Sequence, residues 1–102
     1  MENKEKLFIY GTLADSKIQQ KVLGRMIQGV TNSLVGYKKS KVVIEGQFYP
    51  AIILDKTSEV DGLVIEVTTN ELRLLDAYET GAYKRTKINL KNGILAWVYI
   101  KA

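Results

Sequence analysis

Glu79 is the residue in this 102-residue chain best placed to do acid–base chemistry. It closes the run Leu75-Asp76-Ala77-Tyr78-Glu79, where a short amphipathic helix is expected to end, and Gly81 follows two residues later. A helix C-terminus repels a carboxylate, and partial burial beside Tyr78 adds to that penalty. Both effects raise a carboxyl pKa above its ordinary value of about 4.3, toward the range where it can exchange protons near neutral pH. Read structurally, Glu79 is a solvated carboxylate at a helix end; read chemically, it is a general acid/base. The chain has no cysteine and no histidine, which excludes disulfides, thiolate or imidazole catalysis and ordinary zinc sites. Acid–base work therefore falls to Asp, Glu, Lys or Tyr.

Three further groups could complete a site. Tyr10-Gly11-Thr12-Leu13 is at least a strand-to-helix turn. A glycine turn also lets ligand atoms approach the backbone, whose N–H groups can hold a carboxylate or a developing oxyanion. Tyr83 and Arg85 follow the Glu79 segment; Arg85 is either a strand cation, a salt-bridge partner of Asp76 or Glu79, or a group that orients the acid or binds a substrate carboxylate. Tyr49 and Pro50 are candidates for a pocket wall, although Phe48, Tyr49 and Ile52 read equally well as core.

The elements that must position these residues follow from periodicity. Leu7-Phe8-Ile9-Tyr10 reads as a buried strand. A helix capped by Asp15 or Ser16 carries the stripe Ile18, Val22 and Leu23 and weakens at Gly24. Val30 to Tyr37 is expected to run from loop into strand, Lys38 to Lys41 to be a polar loop, and Val42-Val43-Ile44 to be a strand ended by a Glu45-Gly46 turn. Pro50 argues for an irregular entry to a strand at Ala51 to Leu54. Asp55 to Ser58 reads as a polar turn, and Glu59 to Val67 as a strand in which Gly62 marks a bulge or a close backbone approach. Thr68 and Glu71 have the spacing of a capping box, with Leu72 and Leu75 on the buried face of the helix that follows and Gly81 at its end. Tyr83 to Leu90 and Ile94 to Ile100 form a hairpin about Asn92-Gly93. The result is a single α+β domain over 1–102: a strongly curved sheet or small mixed β-barrel with flanking helices.

Composition narrows the partners. A hydrophobic content of 46% with 25% charged residues is that of an ordinary globular domain. No apolar run approaches the roughly 20 residues of a membrane span, and the first six residues lack the apolar stretch of a signal peptide. The expected compartment is the cytoplasm, with no membrane partner. The net charge of +4 comes from scattered lysines, densest at Lys38, Lys39 and Lys41. Without interleaved aromatic residues this is a weak nucleic-acid signature. Nothing in the pattern sets the oligomeric state.

Taken in order, Phe8-Ile9-Tyr10-Gly11-Thr12-Leu13, Gly36-Tyr37, Tyr49-Pro50-Ala51, Val60-x-Gly62-x-Val64-x-Glu66-Val67, Leu72-x-x-Leu75-Asp76-x-Tyr78-Glu79, Tyr83-x-Arg85 and Ala96-x-Val98-Tyr99 resemble the motifs of the γ-glutamylcyclotransferase-like (AIG2-like) superfamily. The resemblance implies a compact β-barrel with a pocket on one side and a cofactor-free reaction. In that reaction the α-amine of a small γ-glutamyl compound attacks its own γ-carbonyl, giving 5-oxoproline and a free amine or amino acid. It also implies Glu79 as the acid/base and Tyr10, Gly11, Thr12 and Leu13 as the substrate-binding loop. The alternative within the same fold is a relative that binds a small ligand without this chemistry.

Overall fold

The computed structural model describes residues 3–101, the side chains of Thr12, Thr80 and Lys101 apart. Five strands and two helices follow one another as β1 (Lys4–Ile9), α1 (Ser16–Leu23), β2 (Val30–Ile44), β3 (Gln47–Thr68), α2 (Thr69–Glu79), β4 (Tyr83–Asn89) and β5 (Leu95–Lys101). The strands form one curled mixed sheet in the order β2-β3-β1-β5-β4. β1 runs antiparallel to β3 and parallel to β5; the β2–β3 and β4–β5 pairs are antiparallel hairpins. The α+β domain with a strongly curved sheet and flanking helices expected from the sequence is therefore present, and its sheet forms a half-barrel.

β1 explains the curl. Leu7, Phe8 and Ile9 are all fully buried although their side chains alternate between faces. Leu7 and Ile9 join the core beneath the helices, with Ile65, Val67, Leu72 and Leu75. Phe8 points the other way, into a second core with Leu34, Val60, Val64, Leu90 and Val98 on the inner side of the curl. A sheet that buries both faces of its central strand with helices on only one side must curve over itself to cover the other.

Both helices are capped at their N-termini as the sequence predicts. Asp15 accepts a hydrogen bond from the Lys17 N–H at 2.8 Å, and α1 ends at Gly24 in the left-handed region at φ 75°. The capping box of α2 is complete: the Thr68 N–H donates to Glu71 Oε1 at 2.9 Å and the Glu71 N–H donates to Thr68 Oγ1 at 3.1 Å. Glu71 also accepts two hydrogen bonds from Arg25, at 2.8 and 2.7 Å, which ties the loop after α1 to the start of α2.

Several local expectations are corrected. Lys38 to Lys41 is not a loop but part of β2, paired with Ala51, Ile52, Ile53 and Pro50 of β3. Val30 to Tyr37 is strand from its first residue, and β3 begins at Gln47, so Pro50 sits inside a strand. It is tolerated because β1 pairs only with Leu63 to Thr68 of β3, so beyond β2 no described strand lies beside Pro50 to need its missing N–H. Asp55 to Ser58 lies within the span of β3, yet the register passes from Val35↔Glu59 to Tyr37↔Leu54, leaving these four residues without partners in β2. The Thr57 N–H turns back to Asp55 at 3.0 Å, so the polar turn survives as a wide bulge opposite Gly36 (φ 89°). Phe48 and Tyr49 are not core: they are 72% and 38% exposed, whereas Ile52 is buried. Gly81 does not end α2 with a left-handed cap. The helix stops at Glu79 and tightens into a 3-10 turn over Thr80–Ala82.

Gly62 marks a close approach. A Cβ there would stand 2.4 Å from the Ile9 carbonyl oxygen and 2.7 Å from Phe8 Cζ, both in the central strand. Gly62→Ala is expected to lower the unfolding free energy by about 1–3 kcal/mol, read from urea denaturation. Unchanged stability would mean that β1 and β3 can separate there at no cost.

Candidate active site

A cavity of about 450 Å³ opens at one end of the half-barrel. Three separate segments build its wall. The turn after β1 contributes Tyr10, Gly11 and Leu13; the β2–β3 hairpin tip contributes Ile44, Glu45, Tyr49 and Pro50; the end of α2, its 3-10 turn and the first residue of β4 contribute Tyr78, Glu79, Ala82 and Tyr83. Tyr99 of β5 lines it from beneath. Segments remote in sequence thus meet because β1 lies between β3 and β5.

Glu79 is the chemical centre of this wall. Burial pushes its carboxyl up from 4.5 to about 7, with no hydrogen bond acting against the shift. The charge of Glu79 is felt by Tyr10, Tyr83 and Tyr99. The hydroxyl pKa of each is raised, by burial first and by this and other nearby groups after it, so all three are protonated near neutral pH.

Asp76, one helical turn earlier, has the opposite fate. Burial opposes its ionisation, but hydrogen bonds from Arg85 and Tyr99, together with the Arg85 charge, outweigh burial and hold its carboxyl below the ordinary value. Arg85 grips it bidentately, Nε to Oδ1 at 2.9 Å and Nη2 to Oδ2 at 3.0 Å, and the Tyr99 hydroxyl donates to Oδ1 at 2.6 Å. The guanidinium also lies 4.2 Å from the centroid of the Trp97 ring. Neighbouring carboxyls whose environments drive their pKa values apart are the usual mark of divided roles: one fixed and ionised, one free to exchange protons.

The cavity wall is also tied together. The Tyr10 hydroxyl donates a short hydrogen bond to the Tyr99 carbonyl, and the Tyr83 hydroxyl donates to the Pro50 carbonyl at 2.7 Å. A Cβ on Gly11 would meet Pro50 Cβ at 3.3 Å, so glycine lets the β1 turn close against the hairpin.

Of the site residues expected from sequence, Glu79, Tyr10, Gly11, Leu13, Tyr49, Pro50 and Tyr83 all line this one cavity. Thr12 begins the 3-10 turn Thr12–Ala14, and its side chain is not among those described. Arg85 does not line the cavity; of its alternatives, the structure realises the salt bridge with Asp76. The sequence reading missed Tyr99, Glu45 and the buried Gln19. Gln19 carried a signal: it lies four residues before Leu23 and between Ile18 and Val22, a polar residue within the apolar stripe of α1.

Known proteins share this architecture. The AIG2-like protein C of Arabidopsis thaliana is 32% identical over 85 residues, covering 82% of this chain and 48% of that protein; the chain spans about half the length of the curated relatives it matches. A solution structure from Arabidopsis thaliana aligns at TM-score 0.81 with 25% identity, over 99% of this chain and 64% of that one. A structure titled gamma-glutamyl cyclotransferase aligns at TM-score 0.78 over 98% of this chain and 68% of that one; at 17% identity it speaks for the fold alone. The family model described as gamma-glutamyl cyclotransferase, AIG2-like, matches residues 7–102, so a half-barrel that ends in a tyrosine-lined cavity around a half-buried glutamate belongs, in this chain, to that family.

Proposed function

We propose that this domain is a cofactor-free cyclotransferase that converts a small γ-glutamyl compound, a γ-glutamyl amine or amino acid, to 5-oxoproline. The observation that carries the reading is Glu79, a carboxyl lifted to about 7 by burial and sharing a single cavity with Gly11 and Leu13 of the turn after β1. Nucleophile and electrophile belong to one substrate molecule, so the protein must fold that molecule into a near-attack geometry and carry a proton from the attacking nitrogen to the leaving one.

Ionised Glu79 takes a proton from the substrate α-ammonium. The freed amine attacks the γ-carbonyl, forming the ring C–N bond and a tetrahedral oxyanion that backbone N–H groups of the Gly11–Leu13 turn stabilise. Glu79 then returns its proton to the departing nitrogen as the exocyclic C–N bond breaks, the ring nitrogen loses its remaining extra proton to water, and 5-oxoproline and the free amine leave. The protonated hydroxyls of Tyr10, Tyr83 and Tyr99 surround the carboxyl without competing for its proton. Among the described residues no lysine or arginine lines the cavity, and Glu45 adds a second carboxylate at the hairpin tip. That charge balance disfavours a leaving group rich in carboxylates, so within this reading γ-glutamyl amines are preferred to γ-glutamyl peptides.

Glu79→Gln keeps the side-chain shape but cannot accept the proton. Release of 5-oxoproline from a panel of γ-glutamyl amines, γ-glutamyl amino acids and glutathione is expected to fall about 10²–10⁴-fold in this variant. Equal turnover in both proteins would remove Glu79 from the chemistry; silence of the wild type across the panel would move weight to ligand binding without turnover.

The free enzyme needs Glu79 ionised, so kcat/KM is expected to rise with pH through about 7 in wild type. A profile flat from pH 5.5 to 8.5 would contradict the assignment.

The same shift is linked to stability. The folded protein holds the Glu79 proton more tightly than the unfolded chain, so this group's contribution is complete below the unfolded value of 4.5 and is lost as pH rises through about 7. Glu79→Gln is therefore expected to gain stability relative to wild type between pH 5 and pH 8.5, measured as the difference in urea midpoint at each pH. A constant difference would show that burial does not strain the carboxylate.

A further inference from the structure

We propose that Gln19, on α1 and outside the cavity, is the positioning residue that holds the Gly11–Leu13 turn in its working shape; this rests on the cyclotransferase reading above. Gln19 is the one buried polar or charged residue among the described residues, at 4% exposure. Its amide is used at both ends. Nε2 donates to the Leu13 carbonyl at 2.9 Å, and Oε1 accepts from the Ile27 N–H at 2.9 Å. Because one partner is a carbonyl and the other an N–H, only one orientation of the amide satisfies both.

The consequence for the turn is specific. Gly11 to Leu13 leaves the central strand in a tight turn, in which the Ala14 N–H donates to the Gly11 carbonyl at 3.0 Å. Leu13 is buried in the helix-side core, 6% exposed, and its carbonyl is satisfied by Gln19. The second arm, to Ile27, fixes α1 against the segment that leads into β2. Gln19 thus pins the turn to two elements already anchored elsewhere, α1 by its caps and the Arg25 segment by Glu71. An apolar side chain would fill the same space and leave two buried backbone groups without partners. The turn would then be free to shift relative to Glu79, and small displacements of groups that must meet a transition state are costly in rate.

The test is Gln19→Met, which keeps length and apolar packing and removes both hydrogen bonds. In an active wild type, kcat for 5-oxoproline release per folded molecule is expected to fall by about tenfold or more, with KM changed far less. Unchanged kcat in the folded variant would overturn the proposal. If the wild type shows no turnover on any γ-glutamyl compound, it is the cyclotransferase reading that fails, and amide exchange decides the role of Gln19. Faster exchange at the Ala14 N–H in Gln19→Met, with amides of β1 and β3 unchanged, supports it; unchanged exchange, or loss of protection throughout the protein, overturns it. Should Gln19→Met not fold, Gln19→Glu provides its own titration. Protonated, Glu at this position donates to Leu13 and accepts from Ile27; ionised, it loses the donor. Ala14 protection, corrected for intrinsic rate, is then expected to be retained at low pH and lost as that carboxyl ionises, and protection constant with pH would contradict the proposal.

Discussion

Burial of β1 on both faces is the constraint on which the molecule depends. A short strand whose consecutive residues Leu7, Phe8 and Ile9 all avoid water needs a partner on each side and a cover on each face. β3 and β5 are the partners, the two helices cover one face, and the curl of the sheet covers the other. Gly62 is glycine because β3 must come close enough to β1 for this to work. The chain leaves the central strand at Tyr10-Gly11, at the rim of the curl, where the ends of α2 and the β2–β3 hairpin also arrive. The cavity is a product of the way the core is closed.

Holding the site open to chemistry requires one carboxyl to be left uncompensated while its neighbour is fully compensated. Asp76 takes the cation: Arg85 pairs with it, Tyr99 donates to it, and Trp97 backs the guanidinium. That cluster anchors the last turn of α2 against β4 and β5 and engages Arg85. Glu79, three residues on, is then left among tyrosines whose hydroxyls are engaged elsewhere, Tyr10 with the Tyr99 carbonyl and Tyr83 with the Pro50 carbonyl. Burying an ionisable group in this way works against stability, and its recurrence at sites of proton transfer is a general pattern. No described helix is long and apolar enough to cross a membrane, and the helices are accounted for by the core they cover.

Much of this was legible in the sequence, and the parts that were not have physical reasons. The β1 apolar run, the Thr68/Glu71 capping box, the Asn92-Gly93 turn and the Glu79 neighbourhood are local signals, and each predicted its element. The long strands β2 and β3 read in sequence as shorter pieces because lysines at 38, 39 and 41, Pro50 and the Asp55–Ser58 segment are all local interruption signals. Strand pairing overrides such local preferences wherever a neighbouring strand completes the ladder, and Pro50 escaped penalty only because no described strand flanks β3 there beyond β2. Exposure on this hairpin arm was equally hidden: Phe48 looks like core in sequence, but the arm extends past the body that would cover it. Arg85 could have faced either carboxylate; only the packing of β4 beside β5 and Trp97 resolves the choice in favour of Asp76. Gln19 stands within the apolar stripe of α1, and sequence spacing alone does not separate a buried amide from an exposed one.

The central physical claim is that the fold keeps one carboxyl, Glu79, dry enough to exchange its proton near neutral pH. The most direct measurement is an NMR titration of the side-chain carboxyl carbons in the folded protein, with Glu79 assigned by its absence in the Gln variant. A midpoint near 7 for Glu79, with Asp76 ionised throughout the neutral range, is the predicted result. A Glu79 midpoint at the ordinary glutamate value of 4.5 would mean that the carboxylate is solvated, and the cavity would lose its acid/base.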